Sequence, residues 1–252
     1  MANSPNNFFG IVVRRQRYKE RDALVTILTR EYGFKTFLVR GTQTAKSKIS
    51  GAVITFSYGE YSGVIRESGL SYLNSASDVK QFTEIVQDIE LNAYATFLFD
   101  LYHEAFVDDP VPDDWYRMLF KALLYIENGS DAQIIVNIMQ MKLLKAFGVE
   151  PNMDACVVGG ETTGDFDFSV LLGGLLCSKH YDNDIHRLHI PKRIIYFLRL
   201  FSKIDLDNVG RIEVKENNKD LIQHAIDSIY LGTVGYYPKS KVFIDKMKRW
   251  RL

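Results

Sequence analysis

The sequence has few cysteines and no long apolar run, and each shortage excludes a class of protein. Its 252 residues include two cysteines, Cys156 and Cys177, which could form at most one disulfide bond, so a disulfide-stabilised secreted domain is excluded. A membrane-spanning helix needs about 18 consecutive apolar residues, and no stretch reaches that length. Residues 1–7 contain no basic segment followed by an apolar run, so we expect no signal peptide and a cytoplasmic protein with reduced thiols.

The sequence also lacks a net charge, but its charges are separated along the chain. It contains 31 basic and 31 acidic residues in total. Residues 1–80 hold 12 basic and 6 acidic side chains, whereas residues 81–150 hold 4 and 12. Such asymmetry predicts a basic working surface in the first segment and an acidic remainder.

Short strands are predicted up to residue 77. Runs rich in β-branched and aromatic residues, separated by polar turns, are typical of strands, and about five of them favour a small barrel, for which an OB-fold is the candidate. The predicted strands cover 8–13, 23–28, 34–39, 52–58, 63–65 and 70–73.

Helices are predicted from residue 78 onward, where the apolar period changes to about 3.6 residues. Phe82, Ile85, Val86, Ile89, Ala93, Phe97 and Leu101 share one face of a predicted helix over 79–106. Further helices are predicted over 115–126, from a Ser130–Gln133 capping box to 147, over 191–203 and over 219–231. Residues 152–190 have no periodicity and several glycines, which indicates a turn-rich insert. The fold class is therefore α+β, with an OB-fold domain at 1–77, a helical domain at 78–151 and 191–252, and a small insert at 152–190.

The cationic residues of the predicted barrel are the candidate nucleic-acid site. A surplus of seven positive charges over the first fifty residues exceeds what solubility requires and suits phosphate binding. Phe34, Phe37, Tyr18 and Tyr32 lie among them and could stack on bases, although each taken alone is expected rather to fill the barrel. The candidate DNA-binding residues are Arg14, Arg15, Arg17, Lys19, Arg21, Arg30, Lys35, Arg40, Lys46 and Lys48. A further basic segment, residues 239–251, ends the chain.

The insert contains an incomplete set of zinc ligands. Structural zinc requires four Cys or His ligands, usually in two closely spaced pairs. Cys177 and His180 form one such pair, but Cys156 has Gly159 where a partner thiol would stand. His186 or His189 could complete a three-ligand site. The pattern favours two buried thiols without metal, with Cys156, Cys177 and His180 as the candidate ligands.

No catalytic motif is present in the sequence. A P-loop, a G-x-S-x-G nucleophile elbow, an H-E-x-x-H zinc motif and a G-x-G-x-x-G fingerprint are all absent. The acidic run at 108–114 is interpreted as helix caps and a solvated loop. We therefore expect a protein that is not an enzyme and needs no cofactor.

Several segments together resemble the RecO family of bacterial DNA repair and recombination mediators. The segments 10–33, 39–41, 46–48 and 56–59 resemble the N-terminal OB-fold of that family, and 143–158 and 173–177 resemble its helix end and zinc module. The segments 206–211 and 239–244 are also similar to the family pattern. Zinc-binding members carry two C-x-x-C pairs, from which this sequence departs at Gly159 and His180.

The resemblance implies a function in the RecFOR pathway and a nucleoid-associated location. It implies binding of single- and double-stranded DNA, annealing of complementary strands, and loading of RecA on gaps together with RecR and single-strand-binding protein. It also implies that DNA binds to basic positions of the OB-fold. Two alternatives stay open: an adaptor that binds proteins through an apolar groove of helices 79–147, and an OB-fold protein that binds RNA.

Overall fold

The computed structural model describes residues 5–44, 47, 49–107, 110–209 and 212–250. The chain divides into two compact units, Met1–Asn128 and Gly129–Leu252. This division groups the first helices with the strands that precede them. The boundaries at 77, 151 and 190 were predicted from changes of pattern, and as domain boundaries they stay predictions.

The first unit contains a closed five-stranded barrel, which confirms the predicted OB-like fold. Its strands follow one another around the barrel in the order β1, β2, β3, β5, β4. Strand β1 pairs with both β2 and β4, and β3 runs parallel to β5, which closes the barrel. The strands are β1 (Asn6–Tyr18), β2 (Asp22–Thr29), β3 (Gly33–Val39), β4 (Ser57–Val64) and β5 (Ser71–Gln81).

Alternate residues of these strands fill the barrel, as their β-branched and aromatic character predicts. Phe8 stacks on Phe37 with ring centroids 5.2 Å apart, and the hydroxyl of Tyr61 donates to the carbonyl of Ala52 at 2.9 Å. The buried core comprises Phe8, Val12, Ala23, Val25, Ile27, Phe37, Val39, Val53, Tyr61 and Leu73.

The strand predicted over 52–58 is wrong for most of its length. Gly51–Val53 form a 3₁₀ turn that inserts Val53 into the barrel, and β4 begins only at Ser57. Phe56 has a φ of +65°, a left-handed conformation that no regular strand contains. This apolar segment therefore contributes Val53 to the barrel core instead of forming a strand of the sheet.

In the part of the first unit that the structure describes, the barrel is followed by α1 (Thr83–Gln87), α2 (Ile89–Ala105) and α3 (Asp113–Glu127). The single helix predicted over 79–106 is wrong in its first part. Strand β5 continues to Gln81, and the helical conformation is interrupted at Asp88. The Asp88 carboxylate accepts hydrogen bonds from the backbone N–H of Glu90 and Leu91, which starts α2 there. Val86 and Ile89, placed on the apolar face by the sequence, are exposed.

Within its described residues, the second unit combines four α-helices with a small sheet. The helices are α4 (Ala132–Ala146), α5 (Lys192–Lys203), α6 (Glu216–Thr233) and α7 (Lys239–Trp250). The residue predicted to cap α4 is wrong. The carboxylate of Asp131, and not Ser130, accepts a hydrogen bond from the N–H of Ile134. The Gln133 side chain, predicted to complete the capping box, donates to the carbonyl of Lys219.

The predicted insert contains three strands, β6 (Asn152–Cys156), β7 (Phe166–Ser169) and β8 (Gly174–Cys177), in the order β6, β8, β7. Strand β8 is parallel to β6 and antiparallel to β7. A 3₁₀ segment over Ser178–Asn183 follows it. None of the helices in the described part of the chain combines the length and the apolar character needed to cross a lipid bilayer.

Candidate nucleic-acid interface and metal-ligand cluster

One outer face of the barrel carries a row of side chains across four strands. Gln16 lies opposite Leu24, Leu24 opposite Leu38, and Leu38 opposite Tyr72. Residues directly opposite each other point to the same side of a sheet, so these four side chains share one face. With neighbouring strands about 4.8 Å apart, the row spans roughly 14 Å. Leu24, Leu38 and Tyr72 are half-buried and Gln16 is exposed.

A second row on the same face consists of Arg14, Thr26 and Thr36. The hydroxyl oxygens of Thr26 and Thr36 lie 3.3 Å apart, and Arg14 is exposed. This row offers hydroxyl and guanidinium donors beside the apolar row, which suits a ligand with both bases and phosphates.

Two guanidinium groups lie close to the ring of Tyr72. The Cζ atom of Arg66 lies 4.8 Å from the ring centroid and that of Arg40 lies 5.8 Å from it. Both separations are within the range of cation–π attraction. We call Arg14, Gln16, Leu24, Thr26, Thr36, Leu38, Arg40, Arg66 and Tyr72 together the Tyr72 face.

The β1–β2 hairpin adjoins the Tyr72 face and concentrates positive charge. Residues 14–22 hold five cationic and two acidic side chains. Arg17, Lys19 and Arg21 are exposed at or near its tip. The N–H of Gly41 donates to the carboxylate of Asp22 at 3.0 Å, which connects this tip to the end of β3.

Two of the predicted DNA-binding arginines are held by internal contacts. Arg15 donates to the carbonyl and the hydroxyl of Ser50 at 2.9 and 3.0 Å. The Nε atom of Arg30 lies 2.5 Å from the carboxylate of Asp113. The Asp113 hydrogen bond raises the pKa of Arg30, and the same contact lowers the pKa of Asp113.

The predicted residues do not all lie together along the strands. Arg30 follows the end of β2, and Lys35 lies opposite Ile27 near that end. The β1–β2 hairpin is at the other end of β2, about 25 Å away for eight strand residues at about 3.3 Å each. Lys46 and Lys48 lie outside the described residues. Arg14, Lys19, Arg21 and Arg40 are thus the predicted residues that the structure places at one end of the barrel. Arg17 is at the same end, but it lies opposite the buried Ala23 and so points to the other side of the sheet.

The aromatic candidates of the sequence occupy other positions. Phe37 is in the barrel core, and Phe34 packs against the ring of His103 with centroids 5.0 Å apart. Tyr32 lies edge-on to Phe8. Tyr18 is half-buried, with the Lys19 ammonium 5.3 Å from its ring centroid. The expectation that these rings mainly fill the barrel is confirmed for Phe37.

Sequence reasoning missed Tyr72 and Arg66. They belong to this face because β5 runs parallel to β3, a pairing between residues about thirty positions apart. No local spacing reveals such a pairing. The available signal was a tyrosine in an apolar strand six residues after an arginine.

In the second unit, the cysteines and histidine named as candidate ligands lie together with a glutamate. The Nδ1 atom of His180 is 3.4 Å from the sulfur of Cys156 and 3.2 Å from that of Cys177. The ligand atoms of Cys156, Glu161, Cys177 and His180 all lie within 4.8 Å of one another. His186 and His189, weighed as a further ligand, are not members of this cluster.

The two sulfurs of this cluster differ: the surroundings of Cys156 favour its thiolate, whereas burial raises the pKa of Cys177. Burial raises the pKa of the Cys156 thiol, but hydrogen bonds from the N–H groups of Cys177, Gly159 and Val158 and from His180 outweigh it and lower the pKa to about 7. Two sulfurs, an imidazole and a carboxylate are donors that zinc accepts, so the residues present fit that ion.

Two family models match this chain over nearly its whole length. The model described as "Recombination protein O N terminal" matches residues 4–82, and the one described as "Recombination protein O C terminal" matches residues 86–241. The first match covers the barrel that carries the Tyr72 face.

Full-length relatives agree with these matches. A DNA repair protein RecO of Ligilactobacillus salivarius is 44% identical over 244 residues, which is 96% of this chain and 94% of that protein. One from Levilactobacillus brevis is 42% identical over 250 residues, 99% of this chain and 96% of that protein. The chain therefore belongs to the RecO family of DNA repair proteins.

Proposed function

We propose that this protein binds single- and double-stranded DNA through the Tyr72 face and the β1–β2 hairpin and promotes annealing of complementary strands. The observation that carries the proposal is the Tyr72 ring between Arg40 and Arg66, in line with Leu24 and Leu38. A half-buried ring in an apolar row offers a surface on which an unpaired base can stack, and the guanidinium groups beside it are suited to the flanking phosphates.

Annealing follows from charge screening by the same residues. Two complementary strands repel each other through their phosphates, and cations held on one rigid surface reduce that repulsion while the bases meet. Arg14 on the Tyr72 face and the exposed cations of the adjoining hairpin, Arg17, Lys19 and Arg21, would supply these charges. In this mechanism no covalent bond is made or broken, so we propose that the protein is not an enzyme.

Membership of the family supports the proposal that RecR and single-strand-binding protein are partners and that the protein assists RecA loading. Calorimetric titration of purified RecR into this protein tests the first of these. Measurable heat at micromolar concentrations is expected, and its absence in both low and moderate salt would remove RecR from the proposal.

An adaptor that presents an apolar helical groove receives less support. Helix α4, within the segment proposed for such a groove, buries twelve of its fifteen residues, which leaves little apolar surface on it for a partner. RNA binding is separated from DNA binding by competition. We expect unlabelled single-stranded DNA to displace a labelled DNA strand more effectively than RNA of the same sequence.

The proposal is tested by the rate at which two labelled complementary oligonucleotides anneal. We expect the protein to accelerate annealing in dilute buffer and less so in high salt. The variant Arg40→Ala/Arg66→Ala should lose most of the acceleration, while Arg30→Ala, whose side chain already pairs with Asp113, should retain it. Annealing no faster than in buffer alone would contradict the proposal.

A further inference from the structure

We infer that the Glu161 carboxylate replaces the missing thiol of the family's zinc module and completes, as fourth ligand, a zinc site with Cys156, Cys177 and His180. This site is in the second unit and does not depend on the proposed DNA-binding function. The inference rests on the separations of the ligand atoms, on the environment of the Glu161 carboxylate, and on the glycine at position 159.

The separations of the donor atoms match a tetrahedral ion. Zinc bonds of about 2.0–2.3 Å at tetrahedral angles place the ligand atoms roughly 3.3–3.8 Å apart. The Nδ1 atom of His180 lies 3.4 Å from the sulfur of Cys156, 3.2 Å from that of Cys177 and 3.7 Å from Oε2 of Glu161. The three separations from His180 are thus close to those of a ligand set, and the remaining ligand atoms lie within 4.8 Å of one another.

The backbone around the sulfurs is arranged for a negatively charged cluster. The N–H of Cys177 donates to the sulfur of Cys156 at 3.3 Å. Such hydrogen bonds stabilise thiolate over thiol, and the thiolate is the form that binds metal. Both cysteines are buried and neither is in a disulfide, so little surrounding water competes for the sulfurs.

One oxygen of the Glu161 carboxylate is buried in this cluster, and the pKa of Glu161 is lowered by its own backbone N–H and by the thiol of Cys177 beside it. Its Oε1 atom lies 3.6 Å from the ammonium of Lys179, which is largely exposed. Its Oε2 atom is buried and has no hydrogen-bond partner among the described residues. A buried carboxylate oxygen in that state is costly, and a cation beside the two sulfurs would satisfy it.

Gly159 is the residue that makes room for the carboxylate. A Cβ atom at this position would overlap Oε2 of Glu161 and Cε1 of His180 and would lie 2.9 Å from Cδ of Glu161. A side chain at 159 and the carboxylate of Glu161 therefore exclude each other. The glycine that leaves the C-x-x-C pair incomplete in the sequence is the residue that admits an oxygen ligand.

Metal analysis of the purified full-length protein, followed by cobalt titration, tests the inference. We expect about one equivalent of zinc per chain, and a thiolate-to-cobalt charge-transfer band with the d–d spectrum of a tetrahedral ion. Zinc competition against a chromophoric chelator then gives the affinity of each variant.

The variants assign the ligands. Cys156→Ser should abolish the cobalt charge-transfer band, and Glu161→Gln should weaken zinc binding by at least about tenfold, as loss even of a supporting residue does. Glu150→Gln, which removes an exposed carboxylate of the same unit, should bind zinc as the unsubstituted protein does. Circular dichroism of each variant separates loss of a ligand from loss of the fold.

A rescue variant keeps the test independent of folding defects. In Glu161→His an imidazole replaces the carboxylate without adding a Cβ at Gly159, so the zinc affinity that Glu161→Gln loses should return. If the Glu161→Gln variant binds zinc as tightly as the Glu150→Gln variant does, Glu161 is not a ligand. A metal-free protein that gives no tetrahedral cobalt spectrum, or that oxidises to a Cys156–Cys177 disulfide with zinc present, would overturn the site.

Discussion

At the scale of single residues, Tyr72 is the side chain that distinguishes single-strand binding from simple charge attraction. Its ring is half-buried between two arginines on the barrel surface. Stacking of an aromatic ring on a base contributes about 1–3 kcal/mol. We expect Tyr72→Ala to weaken binding of a single-stranded oligonucleotide by about 5- to 150-fold in a fluorescence anisotropy titration.

The matched control is Tyr72→Phe, which keeps the ring and removes only the hydroxyl. Its affinity should stay within about twofold of the unsubstituted protein. Equal affinities for the alanine and phenylalanine variants would show that the ring does not contact bases.

Arg30 and Arg14 provide a second test at this scale, because the sequence predicts both of them to bind DNA. The guanidinium of Arg30 is paired with Asp113, which in turn contacts Arg117, whereas Arg14 is exposed on the Tyr72 face. Each phosphate contact to a single strand contributes about 0.7 to the slope of log K against log salt. We expect Arg14→Ala to reduce that slope by about 0.7 and Arg30→Ala to leave it unchanged. A larger effect for Arg30→Ala would place the DNA at the other end of β2.

The residues that the sequence could identify are those whose partners are close in the chain. The cationic side chains of residues 14–21 are close in sequence and lie in one hairpin, so their proximity in the fold could be predicted. Tyr72 and Arg66 could not be identified, because their position on this face required the parallel pairing of β3 with β5. Glu161 was missed because a single glutamate five residues after a cysteine belongs to no zinc motif.

At the scale of the elements, the barrel depends on close approach of β4 and β5. A Cβ atom at Gly63 would overlap the backbone carbonyl of Tyr72, and backbone cannot move aside as a flexible side chain can. We expect Gly63→Ala to reduce the free energy of unfolding by about 1–3 kcal/mol, the usual cost of overpacking. The same substitution should weaken single-strand binding, because it displaces Tyr72.

Gly51→Ala is the control for Gly63→Ala. No atom lies within 4 Å of the Cβ position at Gly51, and its φ is not in the left-handed region. Urea unfolding of both variants gives the comparison. If Gly63→Ala unfolds at the same urea concentration as Gly51→Ala, the close packing described for these strands is wrong.

Helix α7 contains a buried lysine within the basic C-terminal segment. Lys241 is 2% exposed, and its ammonium lies 2.8 Å from Asp227 and 2.6 Å from Asp245. Burial lowers the pKa of Lys241, but the two carboxylates outweigh this effect and raise the pKa above its usual value of 10.5. Lys241 therefore stabilises the second unit and is not available to phosphates.

We expect Lys241→Met to reduce the free energy of unfolding by about 1–3 kcal/mol, because it leaves two partly buried carboxylates without their cation. The contribution of the charged lysine should be fully present below about pH 10.5 and lost as the pH rises through its raised pKa. Urea unfolding at neutral pH measures the difference, with the exposed Lys239→Ala as control. Equal stability of the two variants would contradict the role assigned to Lys241.

The elements were predictable where local pattern and tertiary packing agree. Strands β2 and β3 and helices α3, α5 and α6 begin and end close to the predicted residues, whereas β1, predicted over 8–13, continues to Tyr18. The segment 52–58 has strand-like composition, yet its first residues form a 3₁₀ turn, in which Val53 packs in the barrel core. The carboxylate of Asp88 interrupts a continuous apolar period that otherwise favours one long helix.

At the scale of the whole molecule, a net charge of zero conceals the property on which the proposed function depends. Because the surplus of positive charge is in residues 1–80 and the surplus of negative charge in residues 81–150, a polyanion is attracted to one part of the chain and repelled from another. The composition of the complete sequence averages this asymmetry away. It was nevertheless visible in the sequence, since counting charges by segment needs no structure.

The central claim is that the cations of the Tyr72 face contact phosphates, and the salt dependence of single-strand affinity tests it most directly. Binding of a labelled oligonucleotide would be measured at several salt concentrations for the unsubstituted protein and for Arg14→Ala/Arg40→Ala/Arg66→Ala. Three lost contacts at about 0.7 each should reduce the slope of log K against log salt by about 2. A triple variant with the slope and affinity of the unsubstituted protein would show that DNA does not bind to this face.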